Sequence, residues 1–206
     1  RDATQKWSFQ QHYALLGPIA HYEATRSSRS GEFMDKGINS LNKNLWDSRV
    51  NYKGYYEKAD VNWANKRGKG FTSTIDALTN NAELSYLVTQ KPEDKTRLRE
   101  LGDVIVERFI PQMDNSKVKV LYPEVFSTNW DVDLNASKTG YVGHFIKTAW
   151  CLGRIYLCDN TKTAYKDGAE KILDKVWSYK NGNVSIWDHE NGGPFNELNI
   201  LTGEWG

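Results

Sequence analysis

Three segments of the chain, about Lys6–Thr25, Thr72–Thr89 and Tyr141–Cys158, read as helices that are apolar on nearly every side. Each is followed at once by a segment with a single apolar stripe: about Gly31–Trp46, Pro92–Ile110 and Lys162–Trp177. A helix that is apolar all round must be covered on most faces, whereas a one-stripe helix keeps a face in water. Inner helix, outer helix and a long return loop, repeated three times, predict an all-α fold of the α/α toroid type. The expected organisation is one domain over residues 1–206, with a pocket at the axis walled by the long loops.

The repeat has a measurable period. Trp46-Asp47 closes the first outer helix, Met113-Asp114-Asn115 the second, and Trp187-Asp188 follows the third, with Asp-to-Asp spacings of 67 and 74 residues. Periods of this size suit stacked helical hairpins with loops of varying length. Leu98, Leu101, Ile105 and Phe109 recur at three- and four-residue steps, as do Tyr165, Ala169, Ile172 and Val176. Pro92 with Glu93 and Asp94 behind it is a good helix start. The long connections, beginning Val50-Asn-Tyr, Val118-Lys-Val and Val184-Ser-Ile-Trp, are β-rich runs with turn residues and predict short strands. The basic stretch Lys66–Lys69 reads as a solvated turn before the second inner helix.

Composition narrows the function classes. With 27 Lys and Arg against 26 Asp and Glu, no global field recruits nucleic acid or an anionic membrane. No run approaches the ~20 apolar residues of a membrane span. Eight Trp and 11 Tyr pack cores, but flat rings also serve sugar-binding pockets. Cys151 and Cys158 lie two turns apart on one predicted helix, about 10 Å of rise, too far to pair with each other. They read as buried free thiols and leave the compartment open. The start Arg1-Asp-Ala-Thr reads as processed or trimmed. The four His, at 12, 21, 144 and 189, lack ligand spacing, so no metal is expected. Arg67-Gly-Lys-Gly lacks the ending of a phosphate loop, and no cofactor is expected.

Polar residues at helical spacing on an otherwise apolar helix mark the side that faces the pocket. The second inner helix carries Asp76, Asn80 and Glu83; the third carries His144, Lys147, Thr148 and Cys151. On the first, Gln10, Gln11, His12 and Tyr13 cluster in one half. Each buried polar group costs free energy unless it is paired, so two such stripes call for an explanation. The connectivity sets the inner-helix N-termini at the end that carries the long loops. Their free N–H groups there favour a substrate or intermediate with negative charge.

These residues carry a resemblance. Gly143-His144-Phe-Ile-Lys147-Thr-Ala-Trp150 resembles the Gly-His-x-x-Glu-x-x-Trp segment of the N-acylglucosamine 2-epimerase family, which includes cellobiose and mannobiose 2-epimerases. Trp187-Asp188-His189-Glu190-Asn-Gly192-Gly193 is similar to its Trp-Asp-x-x-x-Gly-Gly loop, and Leu45-Trp46-Asp47 with Gly54-Tyr55-Tyr56 to its earlier Asp…Gly-Gly-Tyr loop. The resemblance implies an (α/α)6 barrel, of which this chain is the middle part and supplies six of twelve helices. It implies proton transfer at C2 of an opened aldose, N-acyl sugar or disaccharide. His144 would be the general acid or base, Asn80, Glu83 and Asp76 would order hydroxyls, Trp150 and Trp187 would stack on the ring, and His189 would stand on the wall. The family's second catalytic histidine belongs to a later helix, so this segment alone is expected to be inactive.

The chain departs from the pattern at three places. Lys147 stands where the family has Glu; Asn80 stands where it has His; and no Arg stands near His12 or Tyr13. Lys147 beside His144 hinders its protonation and suits an anionic sugar. Two alternatives therefore remain open. One is a glycoside hydrolase or lyase of another α/α-barrel family, using carboxylates among Asp76, Asp131, Asp133, Asp188 and Glu190. The other is a non-catalytic glycan-binding relative that keeps the aromatics. The expected partner in every case is a small carbohydrate, not nucleic acid or a membrane.

Overall fold

Pro18 sets the first departure from the expected helices. Proline has no N–H and crowds the carbonyl four residues back, here that of Ala14. The computed structural model, which describes residues 4–206, accordingly has two helices where one is expected: α1, Ser8–Ala14, and α2, Leu16–Thr25. Lys6 and Trp7 are not helical; Gln5–Trp7 pairs antiparallel with Lys58–Asp60 instead. Arg1–Ala3, including the start read as trimmed, lie outside the described residues.

The chain divides into two compact units. The first is Arg1–Leu101 with Phe126–Asp131; the second is Gly102–Val125 with Val132–Gly206. In the first unit, α2 is followed by the one-stripe helix α3, Ser28–Asn44, which buries Gly31, Met34 and Leu41. The turn between them is short because Arg26 takes the left-handed C-cap conformation, φ 54°, and returns its N–H to the Tyr22 carbonyl. The next inner helix runs from α4, Phe71–Ala77, through a π turn at Leu78–Ala82 into α5, Glu83–Thr89. Gln90 repeats the left-handed cap, and α6, Pro92–Val104, begins two residues later. Helix α1 packs on α4, and α2 on α5. Ile19, Leu41, Ile75, Leu78, Leu98 and Leu101 form the core between these layers.

Trp46–Asp47, expected as the close of the helix, pairs antiparallel with Gly54–Tyr55, whereas Val50–Tyr52, expected as strand, is a 3-10 turn between them. Gly54 is required there: its φ is 140°, and a Cβ would stand 2.7 Å from the Trp130 ring. The Trp130 indole N–H donates to the Lys53 carbonyl, which locks residues 126–131 onto this loop.

In the second unit, α6 gives way to a π turn at Ile105–Phe109 and a 3-10 turn at Ile110–Asp114. The hairpin of α7, Val142–Cys158, and α8, Ala164–Ser178, follows. Helix α7 buries Val142, Phe145, Thr148, Ala149, Leu152 and Ile155, against the stripe Tyr165, Ala169, Ile172 and Val176 of α8. Thr139–Tyr141 pairs antiparallel with Glu197–Asn199, and Lys180–Asn181 with Val184–Ser185. Cys151 and Cys158 form no disulfide, as their spacing implies; Cys151 is buried, whereas Cys158, expected to be buried as well, is only partly so. The inner helices are not apolar-covered throughout: Tyr13, Leu87, Trp150 and Leu157 are exposed. The fold class is all-α, in three helical hairpins among the described residues, with strands of two or three residues in the loops.

Candidate functional site

In the first unit the predicted stripe is buried in the second inner helix. Asp76, Asn80 and Glu83 are all buried, and Asn80 Nδ2 has no hydrogen-bond partner among the described residues. The π turn between Asp76 and Glu83 widens the helix by one residue per turn, so neighbouring Asn81 also enters the layer. Asn81 Nδ2 lies 3.4 Å from His12 Nδ1, and Ser85 Oγ donates to Asn81 Oδ1 at 2.8 Å. His12 is fully buried against the Tyr55 ring. Burial, with the Arg97 cation adding to it, lowers its pKa to about 3. Tyr55 donates to Asn42 Oδ1, and its own burial raises its hydroxyl to about 12.

A cleft of about 520 Å³ lies within this unit, on the side of the outer helices. Asp35, Asn39 and Asn42 of α3, Asn81 and Ser85, and Arg97 and Glu100 of α6 wall it; Asp76, Asn80 and Glu83 do not. The Arg97 guanidinium stacks 3.4 Å above the Trp46 ring and pairs with Glu100 at 3.0 Å.

Lys69 corrects the reading of Lys66–Lys69 as a solvated turn. Its side chain is 0 % exposed. Lys69 Nζ donates to Asp47 Oδ2 at 2.8 Å and to the Tyr52 carbonyl, with the Tyr56 and Trp130 rings about it. Arg49 holds the same carboxylate from the solvent side at 2.7 Å. Burial pushes the Asp47 carboxyl up, but hydrogen bonds from Arg49 and Lys69 outweigh it and hold the group well below the usual carboxylate range. Asp47, read as the close of an outer helix, is thus the anchor of the first long loop.

The second unit holds His144, Lys147, Trp150, Trp187 and His189. His144 is the third residue of α7, in the first turn, where unpaired N–H groups and the positive dipole end lie. Its Nδ1 is 2.9 Å from Glu124 Oε2, and the Tyr141 ring lies 5.0 Å from the imidazole. Thr148 Oγ1 donates back to the His144 carbonyl. Lys147, one turn on, shares the His144 side of the helix; Trp150, six residues on, projects elsewhere and is 51 % exposed. Trp187 packs its ring 6.0 Å from that of Trp177. His189 lies in an exposed turn whose Asp188 caps the backbone N–H groups of Glu190 and Asn191. Asp133 likewise caps Asn135 and Ala136. These two loop acids serve turn geometry.

Glu124 is the residue that sequence reasoning misses. It lies in the β-rich run Val118–Phe126, where no helical period marks which side chains converge. Asn81 and Ser85 are missed because α-helical spacing selects Asn80.

No protein-family profile and no curated protein matches the chain. Solved structures do. A cellobiose 2-epimerase from Bacillus thermoamylovorans aligns with a TM-score of 0.76 at 13 % identity, over 98 % of this chain and 50 % of that one. A D-mannose isomerase aligns at 0.79 and 14 %, over 98 % and 50 %. A glycoside hydrolase family 76 mannosidase from Bacteroides thetaiotaomicron aligns at 0.66 and 12 %, over 96 % and 48 %. The chain spans about half the length of these structures, and it shares its fold with α/α-barrel carbohydrate-active proteins that include sugar epimerases and isomerases.

Proposed function

We propose that this chain contributes to a sugar 2-epimerase or aldose–ketose isomerase, acting by proton transfer at C2 of an opened aldose, N-acyl sugar or disaccharide. The observation that carries the reading is His144, in the first turn of α7 with Nδ1 against a carboxylate. A histidine titrates near neutrality and can both take and return a proton. Lys147 on the same side of the helix would oppose negative charge on the sugar or its enediolate. Within the same unit, Trp187 and His189 are the candidates to flank the ring. The fold shared with cellobiose 2-epimerase and D-mannose isomerase structures supports the class.

A second reading is favoured by the mannosidase likeness together with two buried carboxylates, Asp76 and Glu83. It makes the protein a glycoside hydrolase, in which paired acids do the work.

One experiment separates the two. The full-length protein is incubated in heavy water with glucose, mannose, N-acetylglucosamine, cellobiose and an α-mannan. Deuterium at C2 of a recovered sugar supports the epimerase reading. Release of reducing ends from the polymer without C2 deuterium replaces it with the hydrolase. Neither result, with retained sugar binding, replaces both with glycan recognition.

A further inference from the structure

His144 Nδ1 and Glu124 Oε2 are 2.9 Å apart, and the two side chains differ in solvent access, 37 % exposed for the histidine and 12 % for the glutamate. A carboxylate only accepts hydrogen bonds, so Nδ1 must be the donor. The neutral imidazole then carries its lone pair on Nε2.

The Glu124 carboxylate is built into place. Two residues before it, Tyr122 is fully buried, with its ring edge-on to Phe145 at 4.9 Å and to Phe109 at 5.5 Å. Phe145 is the residue after His144, so one aromatic contact references the loop to the catalytic turn. Val118, Val120 and Leu121 are buried as well, and the Lys119 N–H donates to the Ile200 carbonyl. Leu121 takes a left-handed φ of 59°, which costs a branched residue free energy. Pro123 then fixes the backbone entering Glu124.

The second carboxylate oxygen is the telling detail. Glu124 Oε1 is buried and has no hydrogen-bond partner among the described residues. A half-satisfied buried carboxylate is a poor device for stability, since each unpaired polar atom loses its hydration without compensation. Position 147, where the resembling segment has Glu, is Lys here. The helix thus offers no carboxylate at that step, and the loop supplies one.

Building on the reading of His144 as a proton-transfer group, we propose that Glu124 is its positioning residue. Glu124 holds the imidazole in the Nδ1–H tautomer and stabilises the imidazolium formed in the reaction. When Nε2 takes the C2 proton, the C–H electron pair passes into the C1–C2 enediolate and the carbonyl oxygen takes the negative charge. Delivery of that proton to C1, with the O2 proton passing to O1, gives the ketose; protonation of C2 from the opposite face by a second acid gives the 2-epimer; in either case Glu124 remains a carboxylate throughout.

Two arms test this on the full-length protein. The first needs no sugar: two-bond ¹H–¹⁵N correlation spectra of the His144 ring in wild type, Glu124→Gln and Glu124→Leu. The neutral wild-type ring should show Nδ1 protonated and Nε2 unprotonated, and Glu124→Leu should shift the population toward Nε2–H. A wild-type ring protonated on Nε2, or one indifferent to both substitutions, overturns the proposal. Glu124→Gln keeps the side-chain shape, so it reports even if the Leu variant folds poorly. The second arm is C2 exchange, where Glu124→Gln should lower kcat about 10²-fold with KM within twofold. An unchanged kcat in a variant whose tautomer has moved overturns the catalytic role. A tautomer that moves in a wild type without C2 exchange would overturn the reaction assigned above and leave the Glu124–His144 coupling standing.

Discussion

His12 and His144 are the same residue in opposite circumstances. His12, in the first unit, has no solvent access, an amide and an aromatic ring for neighbours, and a cation in Arg97 to discourage a second positive charge. With its pKa lowered to about 3 it is neutral near pH 7 and works as a packing element. His144, in the second unit, is part-exposed at a helix start, with a carboxylate on one nitrogen. The comparison teaches that solvation and the partner on the ring decide whether a histidine is structural or chemical. Lys69 and Lys147 repeat the lesson: Lys69 is sealed in and pinned to Asp47, whereas Lys147 is only partly buried on the His144 side of α7.

The comparison breaks most easily at Lys69. Lys69→Met removes a fully buried cation while leaving the Asp47 carboxylate in place, a change that typically costs about 3–5 kcal/mol. Arg49 still holds Asp47 from the solvent side, which puts the expectation at about 3 kcal/mol. Denaturant unfolding reads it directly. A loss under 1 kcal/mol would mean that the pair does not anchor the loop.

His12 gives the next largest effect, and only in acid. Its folded pKa is about 3 against an ordinary value of 6.5. As the pH falls, the unfolded chain takes up the proton first, so stability that is fully present above about pH 6.5 is lost progressively toward pH 3. The full effect is on the order of a few kcal/mol. Between pH 6.5 and 4.5 it stands apart from Asp47, whose contribution fades only once the pH drops below the ordinary carboxylate range. Unfolding at pH 7, 6 and 5 should therefore give a wild-type slope that His12→Gln flattens. Equal slopes would contradict the buried-neutral assignment.

The smallest stability effect is expected at Trp150. It is half exposed, so Trp150→Ala should cost less than about 1 kcal/mol by thermal unfolding. If the ring stacks on sugar, the same variant raises KM or Kd for the sugar roughly tenfold, about 1.4 kcal/mol. A large drop in Tm with unchanged sugar affinity would make it a packing residue, like the tryptophan at 130.

The alternation of inner and outer helices was legible because it rests on hydrophobic period, but the break at Leu15 was missed, because the apolar period runs on across Pro18. The π turns at Leu78–Ala82 and Ile105–Phe109 were not, since nothing in local composition distinguishes an i→i+5 bond from an i→i+4 bond. That is why spacing pointed to Asn80 and passed over Asn81. His144 was singled out by its motif, and its chemical role stands as the proposal above. Its partner was not, because Glu124 reaches it from a loop 20 residues earlier, where convergence depends on tertiary packing. Lys69 was misread for the same reason: a basic run looks solvated until a carboxylate from residue 47 closes over it.

The account's central claim is that His144 carries chemistry and His12 carries structure. The most direct measurement is the rate of deuterium incorporation at sugar C2 in heavy water at pH 7.5, per folded molecule of the full-length protein, for wild type, His144→Asn and His12→Gln. The predicted result is exchange by wild type, exchange within about threefold of it by His12→Gln, and a loss of about 10²–10⁴-fold in His144→Asn. Exchange by His144→Asn at the wild-type rate would contradict the account.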